Sequence, residues 1–162
     1  MQVQNKNIFI DLDETLIHTD LNGMYKNDTE AEKIVIDGIV YLVKIRPGAL
    51  NLLKGLRKKG DVYMLTRATA DYAFAMSNKF KFGFEQDQIY SREYVKNWKY
   101  KELKISKGNN YLLDDLPFEE NYEKIALLKQ LGDVKYIKVN PYYGSSVDNL
   151  VKEDIKDILK EI

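Results

Sequence analysis

Short apolar runs alternate with stretches of helical spacing along most of this 162-residue chain. The short runs are rich in β-branched and aromatic residues, which is typical of buried strands. They cover residues 7–11, 61–66, 88–91, 111–115 and 134–139. Apolar residues at helical spacing predict helices over residues 49–56, 69–82, 119–131 and 147–162. This alternation predicts an α/β fold, in which helices cover both sides of a central parallel sheet.

A different pattern interrupts this alternation after the first strand. Residues 33–45 read KIVIDGIVYLVKI, so that two strand-like runs flank Asp37 and Gly38. An Asp-Gly pair between two such runs favours a tight type I′ turn and predicts a β-hairpin. We therefore expect residues 1–162 to form a single domain, into which residues 21–46 insert a loop and a small hairpin.

Composition narrows the possible classes of protein. The chain has 25 Lys and Arg residues and 25 Asp and Glu residues, so its formal net charge is zero, which argues against bulk binding of nucleic acid. It has no cysteine, which excludes disulfides, thiolate catalysis and zinc–thiolate sites. No apolar run is long enough to span a membrane, and the first residues lack the apolar region of a signal peptide. These features lead us to expect a soluble, intracellular protein of the cytoplasm.

Three of the predicted strands run directly into residues with reactive or ligating side chains. Asp11 and Asp13 end the first strand, Thr66 ends the second, and Asp114 and Asp115 end the run at 111–115. Ligands bind beyond the carboxyl ends of the strands in open parallel sheets. If these strands are neighbours, their side chains converge at one edge of the sheet.

Such a cluster of carboxylates predicts a cation and a particular kind of chemistry. Adjacent carboxylates repel one another and raise their pKa values unless a cation lies between them. Mg²⁺ prefers oxygen ligands and commonly binds together with phosphate groups. A carboxylate such as Asp11 can attack phosphorus to form an aspartyl-phosphate, while Asp13 protonates the leaving oxygen and later activates water.

Each of these motifs has a simpler interpretation when it is taken alone. An Asp-x-Asp pair is commonly a turn, and Asp114 with Asp115 could cap a helix. A calcium-binding loop beginning at Asp11 is disfavoured, because Thr15 and Leu16 occupy the positions that require Asp or Asn and then Gly. The set of motifs, in this order along the chain, is more specific than any one of them.

The motifs together resemble a known family. DLDETL, at residues 11–16, is similar to the D-x-D-x-T signature of haloacid dehalogenase (HAD) phosphotransferases. DLDETLIH, VIDGIVYLVKIRPG, VYMLTRATADYA and YLLDD resemble the branch of phosphatases that act on the polymerase II C-terminal tail, the NLI-interacting-factor-like group. The resemblance covers residues 7–159. It implies a three-layer Rossmann-like HAD fold in which the hairpin is a minimal cap.

The resemblance also implies a role for each matching residue. Asp11 would be the nucleophile, Asp13 the general acid and base, and Thr66 a hydrogen-bonding partner of the transferred phosphoryl group. Mg²⁺ would bind Asp11, the backbone carbonyl of Asp13, and Asp115, with Asp114 beside them.

Further residues have less definite roles. Thr15 would support the loop. The family also uses a lysine between the threonine and the last carboxylates, and the YKEL context favours Lys101, with Lys99 as the alternative. Arg92 matches an Arg-Glu pair of the family and is more consistent with a structural role. Arg67 would either contact the substrate or point outward.

The predicted activity is hydrolysis of phosphomonoesters, with phosphoserine or phosphothreonine in protein as the expected substrate. One alternative is a nucleotidase or polynucleotide-end phosphatase on the same fold. Another is a phospho-accepting receiver or a non-catalytic binding domain. Receivers carry their acceptor aspartate on the third strand, whereas Asp11 follows the first, and Asp13 supplies the acid that turnover requires.

Overall fold

A computed structural model describes residues 4–21 and 23–162 and contains a central sheet of five strands. The strands are β1 (Lys6–Ile10), β5 (Asp61–Leu65), β6 (Ile89–Tyr90), β7 (Asn109–Asp114) and β8 (Val134–Lys138). All neighbouring pairs are parallel, and the order across the sheet is β6-β5-β1-β7-β8. The predicted α/β class with a central parallel sheet is confirmed.

In the described part of the chain, five α-helices cover the two faces of this sheet. They are α1 (Ala49–Arg57), α2 (Ala70–Lys79), α3 (Arg92–Lys96), α4 (Tyr122–Leu128) and α5 (Lys152–Lys160). Successive side chains of a strand point to opposite faces, and β1 shows this clearly. Ile8 and Ile10 belong to a core that includes residues of α1 and α2 and against which α5 packs, whereas Phe9 belongs to a core that includes residues of α3 and α4. The molecule therefore has three layers.

The hairpin predicted over residues 33–45 is present, within a separate antiparallel sheet. Its strands are β3 (Glu32–Ile36) and β4 (Ile39–Ile45), and the two turn residues, Asp37 and Gly38, have φ values of 51° and 78°. Positive φ at both positions is the geometry that type I′ turns require. A third strand, β2 (Ile17–Asp20), pairs with β4 and was not predicted, because its alternation covers only four residues.

Two predicted helices differ most from the limits expected. The stretch at 119–131 contains a 3₁₀ turn (Phe118–Glu120), then α4, then a second 3₁₀ turn (Lys129–Leu131). The helix predicted from residue 147 begins only at Lys152, because the Asp154 side chain accepts a hydrogen bond from the N–H of Val151 and caps the helix there. The five-residue helix α3 was not predicted.

The sheet order determines where the reactive residues meet. β1 lies at the centre of the sheet and pairs with β5 on one side and β7 on the other. The carboxyl ends of these three strands are therefore adjacent, as the positions of the polar side chains predicted. No helix in the described part of the chain is long and apolar enough to cross a bilayer.

A glycine at the start of α1 provides a test of the packing around the last segment of the chain. Gly48 has φ 93°, and a Cβ atom there would lie 2.1 Å from the carbonyl oxygen of Leu150. Gly48→Ala combines a left-handed conformation with a backbone clash, so we expect it to lower the free energy of unfolding by about 3 kcal/mol or more. Urea denaturation measures this loss.

Gly38 provides the matched control for this substitution. Its φ is also positive, at 78°, but a Cβ atom there would have no neighbour within 4 Å. Gly38→Ala should therefore cost only the conformational strain, about 1–2 kcal/mol. Equal losses at the two positions would contradict the close approach of Leu150 to Gly48.

Candidate active site

The chain curls sharply just after β1. The backbone carbonyl of Leu12 accepts a hydrogen bond from the N–H of Leu16 at 2.9 Å, and Glu14 has a positive φ of 62°. Leu12 is fully buried, whereas Asp11 and Asp13, on either side of it, line a cleft at the edge of the sheet. The spacing of the two aspartates therefore brings both carboxylates to the same cleft.

A buried ammonium group lies between two of the carboxylates. Lys124, the third residue of α4, has no exposed surface, and its Nζ donates to Asp11 Oδ1 at 2.8 Å and to Asp114 Oδ2 at 2.7 Å. Burial opposes a charged lysine, but the two carboxylates outweigh it and raise the pKa of Lys124. Lys124 is therefore a charged group that offsets part of the negative charge at the strand ends.

Neither lysine chosen from the sequence occupies this position. Lys101 Nζ pairs with Glu93 at 2.6 Å and lies over the ring of Tyr94, and Lys99 Nζ lies over the ring of Trp98. The lysine beside Asp11 thus comes from the helix after the carboxylates, whereas Lys101 and Lys99, in the segment before them, have other partners.

The sequence around Lys124 carries a signal of its buried position that lies outside the motifs. In YEKIALL, Lys124 precedes Leu127 by three residues and Leu128 by four. Residues at these spacings share one face of a helix, and both leucines are buried. A lysine on the apolar face of a helix must have a buried partner for its charge, and the preceding carboxylates supply that partner.

Asp114 and Asp115 have different surroundings although they are neighbours in sequence. Asp114 is fully buried, and its two oxygens accept hydrogen bonds from the N–H of Leu116 at 3.0 Å and from Lys124. Burial would raise the pKa of Asp114, but the Lys124 ammonium outweighs this effect and lowers it. Asp115 instead lines the cleft, and burial raises its pKa.

The cluster suits a divalent cation. Asp11, Asp114 and Asp115 each offer a carboxylate oxygen, and these oxygens lie within 4.8 Å of one another. Thr15 Oγ1 lies 3.2 Å from Asp11 Oδ2 and 3.3 Å from Asp115 Oδ1. Burial raises the pKa of Asp11 to about 7 although Lys124 opposes the shift, so one ammonium does not fully compensate the carboxylates. Oxygen ligands with surplus negative charge are what Mg²⁺ prefers.

Asp13 is held by a hydroxyl group from α2. Tyr72 Oη donates to Asp13 Oδ1 at 2.8 Å and lies 2.6 Å from Thr19 Oγ1 on β2. Burial raises the pKa of Asp13 to about 6, while the hydrogen bond from Tyr72 partly opposes the shift. A carboxyl group with a pKa in this range can both donate and accept a proton near neutral pH.

Thr66 completes the cleft from the end of β5. Its Oγ1 accepts the backbone N–H of Ala68 at 3.0 Å, which leaves its hydroxyl hydrogen available for donation. The cleft has a volume of about 330 Å³. It is lined by Asp11, Asp13, Glu14, Thr66, Arg67, Asp115, Leu116 and Tyr143. The structure thus brings the predicted residues Asp11, Asp13, Thr66 and Asp115 together and leaves Lys101 outside.

Comparison of the sequence with known families gives one match over nearly the whole chain. Residues 6–162 match the model of the NLI interacting factor-like phosphatases. No curated protein sequence matches this chain.

Solved structures of phosphatases and of a bacterial effector have similar folds. Fission yeast RNA polymerase II CTD phosphatase Fcp1, bound to beryllium fluoride, aligns with a TM-score of 0.57 and 16% identity over 97% of this chain. This chain covers only 49% of that Fcp1 chain. The HAD domain of the effector Lem4 from Legionella pneumophila aligns with a TM-score of 0.51 and 16% identity, over 97% of this chain and 95% of that one. At these identities, the likeness shows the HAD fold.

The raised pKa values predict how Mg²⁺ should stabilise the protein as the pH changes. Carboxyl groups with raised folded-state pKa values stabilise the folded form when protonated, and this contribution is lost as pH rises from about 4 through about 7. Mg²⁺ would offset this loss of stability only at pH values at which the carboxylates are ionised. We expect Mg²⁺ at about 100 times its Kd to raise the Tm by roughly 5–10 °C at pH 8, and much less at pH 5.

Two substitutions test whether this effect belongs to the cleft. Asp115→Asn removes one candidate ligand and should reduce the increase in Tm at pH 8. Asp61→Asn, at the opposite end of the sheet, removes an exposed carboxylate and should leave the increase unchanged. An equal increase at pH 5 and pH 8, or an undiminished one in Asp115→Asn, would exclude Mg²⁺ binding at these carboxylates. Differential scanning fluorimetry measures all three proteins.

Proposed function

The chain belongs to the NLI interacting factor-like phosphatases and is a HAD-type phosphatase, and from this premise we propose the reaction that its cleft performs. We propose that it hydrolyses phosphomonoesters with Mg²⁺ through an aspartyl-phosphate on Asp11, and that its substrates are phosphoserine and phosphothreonine in protein. One observation carries this proposal: the Asp11 carboxylate is held between the Lys124 ammonium and the Thr15 hydroxyl on a cleft that Asp13 also lines.

In the first step Asp11 acts as the nucleophile. One of its carboxylate oxygens forms a bond to phosphorus, while the bond between phosphorus and the ester oxygen breaks. Asp13 gives its proton to the departing oxygen, so that serine or threonine leaves as the alcohol. The contacts of Asp11 with Lys124 and Thr15 fix the carboxylate before the substrate arrives, which lowers the entropic cost of the attack.

In the second step Asp13 acts as a base. It takes a proton from water, whose oxygen attacks the phosphorus of the aspartyl-phosphate. The bond between phosphorus and Asp11 breaks, inorganic phosphate leaves, and the Asp11 carboxylate is restored. Tyr72 holds Asp13 in place through both steps by its hydrogen bond to Oδ1.

Positive charge and hydroxyl donation stabilise the phosphoryl oxygens during both steps. Lys124 contributes its ammonium, and Thr66 contributes a hydroxyl from the other side of the cleft. Mg²⁺, when bound, supplies a fixed positive charge that neutralises the phosphoryl oxygens. We assign its protein ligands to Asp11, Asp115 and the backbone carbonyl of Asp13. Asp114 positions Lys124 in this proposal, because it is fully buried and, unlike Asp11 and Asp115, does not line the cleft.

The open surroundings of the cleft favour a phosphorylated side chain on an extended peptide. A second cavity of about 570 Å³ adjoins the cleft and is walled by Leu21, Tyr41 and Tyr72 among others. Tyr41 comes from the hairpin, so residues 21–46 act as a minimal cap that leaves the site accessible, and residues 1–162 form one phosphatase domain. A phosphatase of the polymerase C-terminal domain has a similar fold, which supports a protein substrate.

The assignment of Lys124 leads to a direct test of the catalytic residues. With an aryl phosphate and Mg²⁺, we expect Asp11→Asn and Asp13→Asn to lose at least about 100-fold in kcat. Lys124→Gln should lose about 100- to 1,000-fold, because the phosphoryl oxygens lose a fixed positive charge. Lys101→Gln should stay within about twofold, because its ammonium faces Glu93. A large loss in Lys101→Gln together with an active Lys124→Gln would restore the choice of Lys101.

Folding of the Lys124 variant needs its own control. Removing one partner of a buried ion pair costs about 3–5 kcal/mol, because the remaining charges lose their counter-ion. The double variant Asp114→Asn with Lys124→Gln removes the ammonium and one of its two carboxylate partners, so it should recover part of this stability while it remains inactive. An active double variant would show that neither group is needed for turnover.

Substrates with different leaving groups test whether Tyr72 acts by positioning Asp13. Alkyl phosphates need a proton from Asp13 as the oxygen departs, whereas p-nitrophenyl phosphate releases a stable phenolate. We expect Tyr72→Phe to lower kcat/KM about tenfold for a phosphoserine peptide and less than about twofold for p-nitrophenyl phosphate. Tyr41→Phe is the matched control, because its ring packs edge-on against Tyr72 in the same cavity. Equal losses on both substrates would show that Tyr72 does not act through Asp13.

A further inference from the structure

Three cavities that share lining residues form a groove that leads away from the catalytic cleft. The cavity of about 570 Å³ shares Asp13, Glu14 and Arg67 with the cleft. It shares Thr69 and Arg92 with a further cavity of about 330 Å³, which extends to Lys96 on α3. Three basic side chains therefore follow one another outward from the catalytic end. We call Arg67, Arg92 and Lys96 the basic row.

The charges of the basic row are available to a ligand. Arg67 reaches the backbone carbonyl of Glu120 at 3.4 Å, and Arg92 Nε donates to the backbone carbonyl of Arg67 at 2.9 Å. Within residues 4–21 and 23–162, no carboxylate forms an ion pair with a member of the row. Backbone contacts thus orient the two guanidinium groups without neutralising them.

The outer end of the groove carries a surplus of positive charge. Glu93 lines the outer cavity, but its carboxylate is paired with Lys101 at 2.6 Å. The other carboxylates of the connected cavities, including Asp13 and Glu14, lie at the catalytic end. The groove is therefore acidic where the phosphoryl group reacts and basic where the rest of a substrate would lie. This distribution of charge discriminates between substrates that carry different charges next to the phosphorylated residue.

We infer that the preferred substrate is an extended phosphopeptide with acidic residues on one side of the phosphorylated serine or threonine, held by the basic row. The inference rests on the proposed phosphatase activity and adds the substrate class. Carboxylate or phosphate groups on the peptide would pair with Arg67, Arg92 and Lys96, and guanidinium groups bind both kinds of anion in a bidentate manner.

A peptide fits this groove better than a nucleic acid does. An oligonucleotide carries a negative charge on every residue, including those that would lie over Asp13 and Glu14 at the catalytic end. The chain has no net charge to attract such a polyanion. Leu21, Tyr41 and Tyr72 give the middle of the groove an apolar wall, which suits uncharged side chains between the phosphorylated residue and the acidic ones.

The inference is tested by kcat/KM on three phosphoserine peptides at low salt with Mg²⁺. One is neutral, one has three glutamates before the phosphoserine, and one has three glutamates after it. One exposed ion pair strengthens binding about two- to fivefold, so we expect one acidic peptide to exceed the neutral peptide by about tenfold or more. The advantage should shrink in 0.5 M salt, because ions screen exposed charges.

Charge reversal identifies the side chains responsible. Lys96→Glu should remove the preference for the acidic peptide and raise kcat/KM for a peptide with lysines in the same positions. Lys99→Glu makes the same charge change three residues away, at a side chain that lies over Trp98 and lines none of the three cavities. It should retain most of the acidic preference. Lys99→Glu should also hydrolyse an aryl phosphate like the wild type, which checks that the charge change does not disturb the catalytic cleft.

The outcomes separate this inference from the proposed function. Wild-type hydrolysis of all three peptides at equal rates would overturn the acidic preference and leave the phosphatase activity in place. Equal effects of Lys96→Glu and Lys99→Glu would exclude the basic row as its source. Faster hydrolysis of a 3′-phosphorylated oligonucleotide than of any peptide would overturn the peptide substrate. Failure on every substrate, including the aryl phosphate, would overturn the proposed function itself.

Discussion

The buried ammonium of Lys124 is the interaction on which the rest of the site depends. It joins three elements, because the lysine belongs to α4 and its two carboxylate partners follow β1 and end β7. Without it, carboxylates at the ends of neighbouring strands would repel one another in a buried setting. A buried ion pair is costly to desolvate, so it contributes less to stability than to the relative placement of the groups that it joins.

This arrangement divides the region around the cleft into two parts with opposite properties. The inner part is fixed by short polar contacts among buried groups, including Asp11, Asp114 and Lys124. The outer part is formed by exposed or half-buried side chains of α3, the hairpin and the loop after β5, and their polar contacts are largely with backbone atoms. Fixed inner groups suit a reaction that needs one geometry, whereas exposed outer groups suit the selection of substrates.

The sequence allowed the parallel sheet, the hairpin and the meeting of the strand ends to be predicted, because these follow from hydrophobic periodicity and from the geometry of parallel strands. It did not lead to Lys124, because several lysines are compatible with the family motif, and only the structure shows which lysine is buried beside the carboxylates. The strand β2 and the helix α3 are too short for periodicity to show them. The start of α5 depends on one cap by Asp154, which a search for apolar spacing does not detect.

The position of Lys124 after the carboxylates has a consequence for the segment between α3 and β7. Among the described residues of this segment, Leu103 is buried and Lys101 pairs with Glu93, but none forms a hydrogen bond or ion pair with Asp11, Asp114 or Asp115. The segment adjoins the outer cavity through Asn97. The exposed positions of this segment therefore suit the grafting of new recognition sequences. Redesign there could retarget the enzyme while the reacting groups keep their positions.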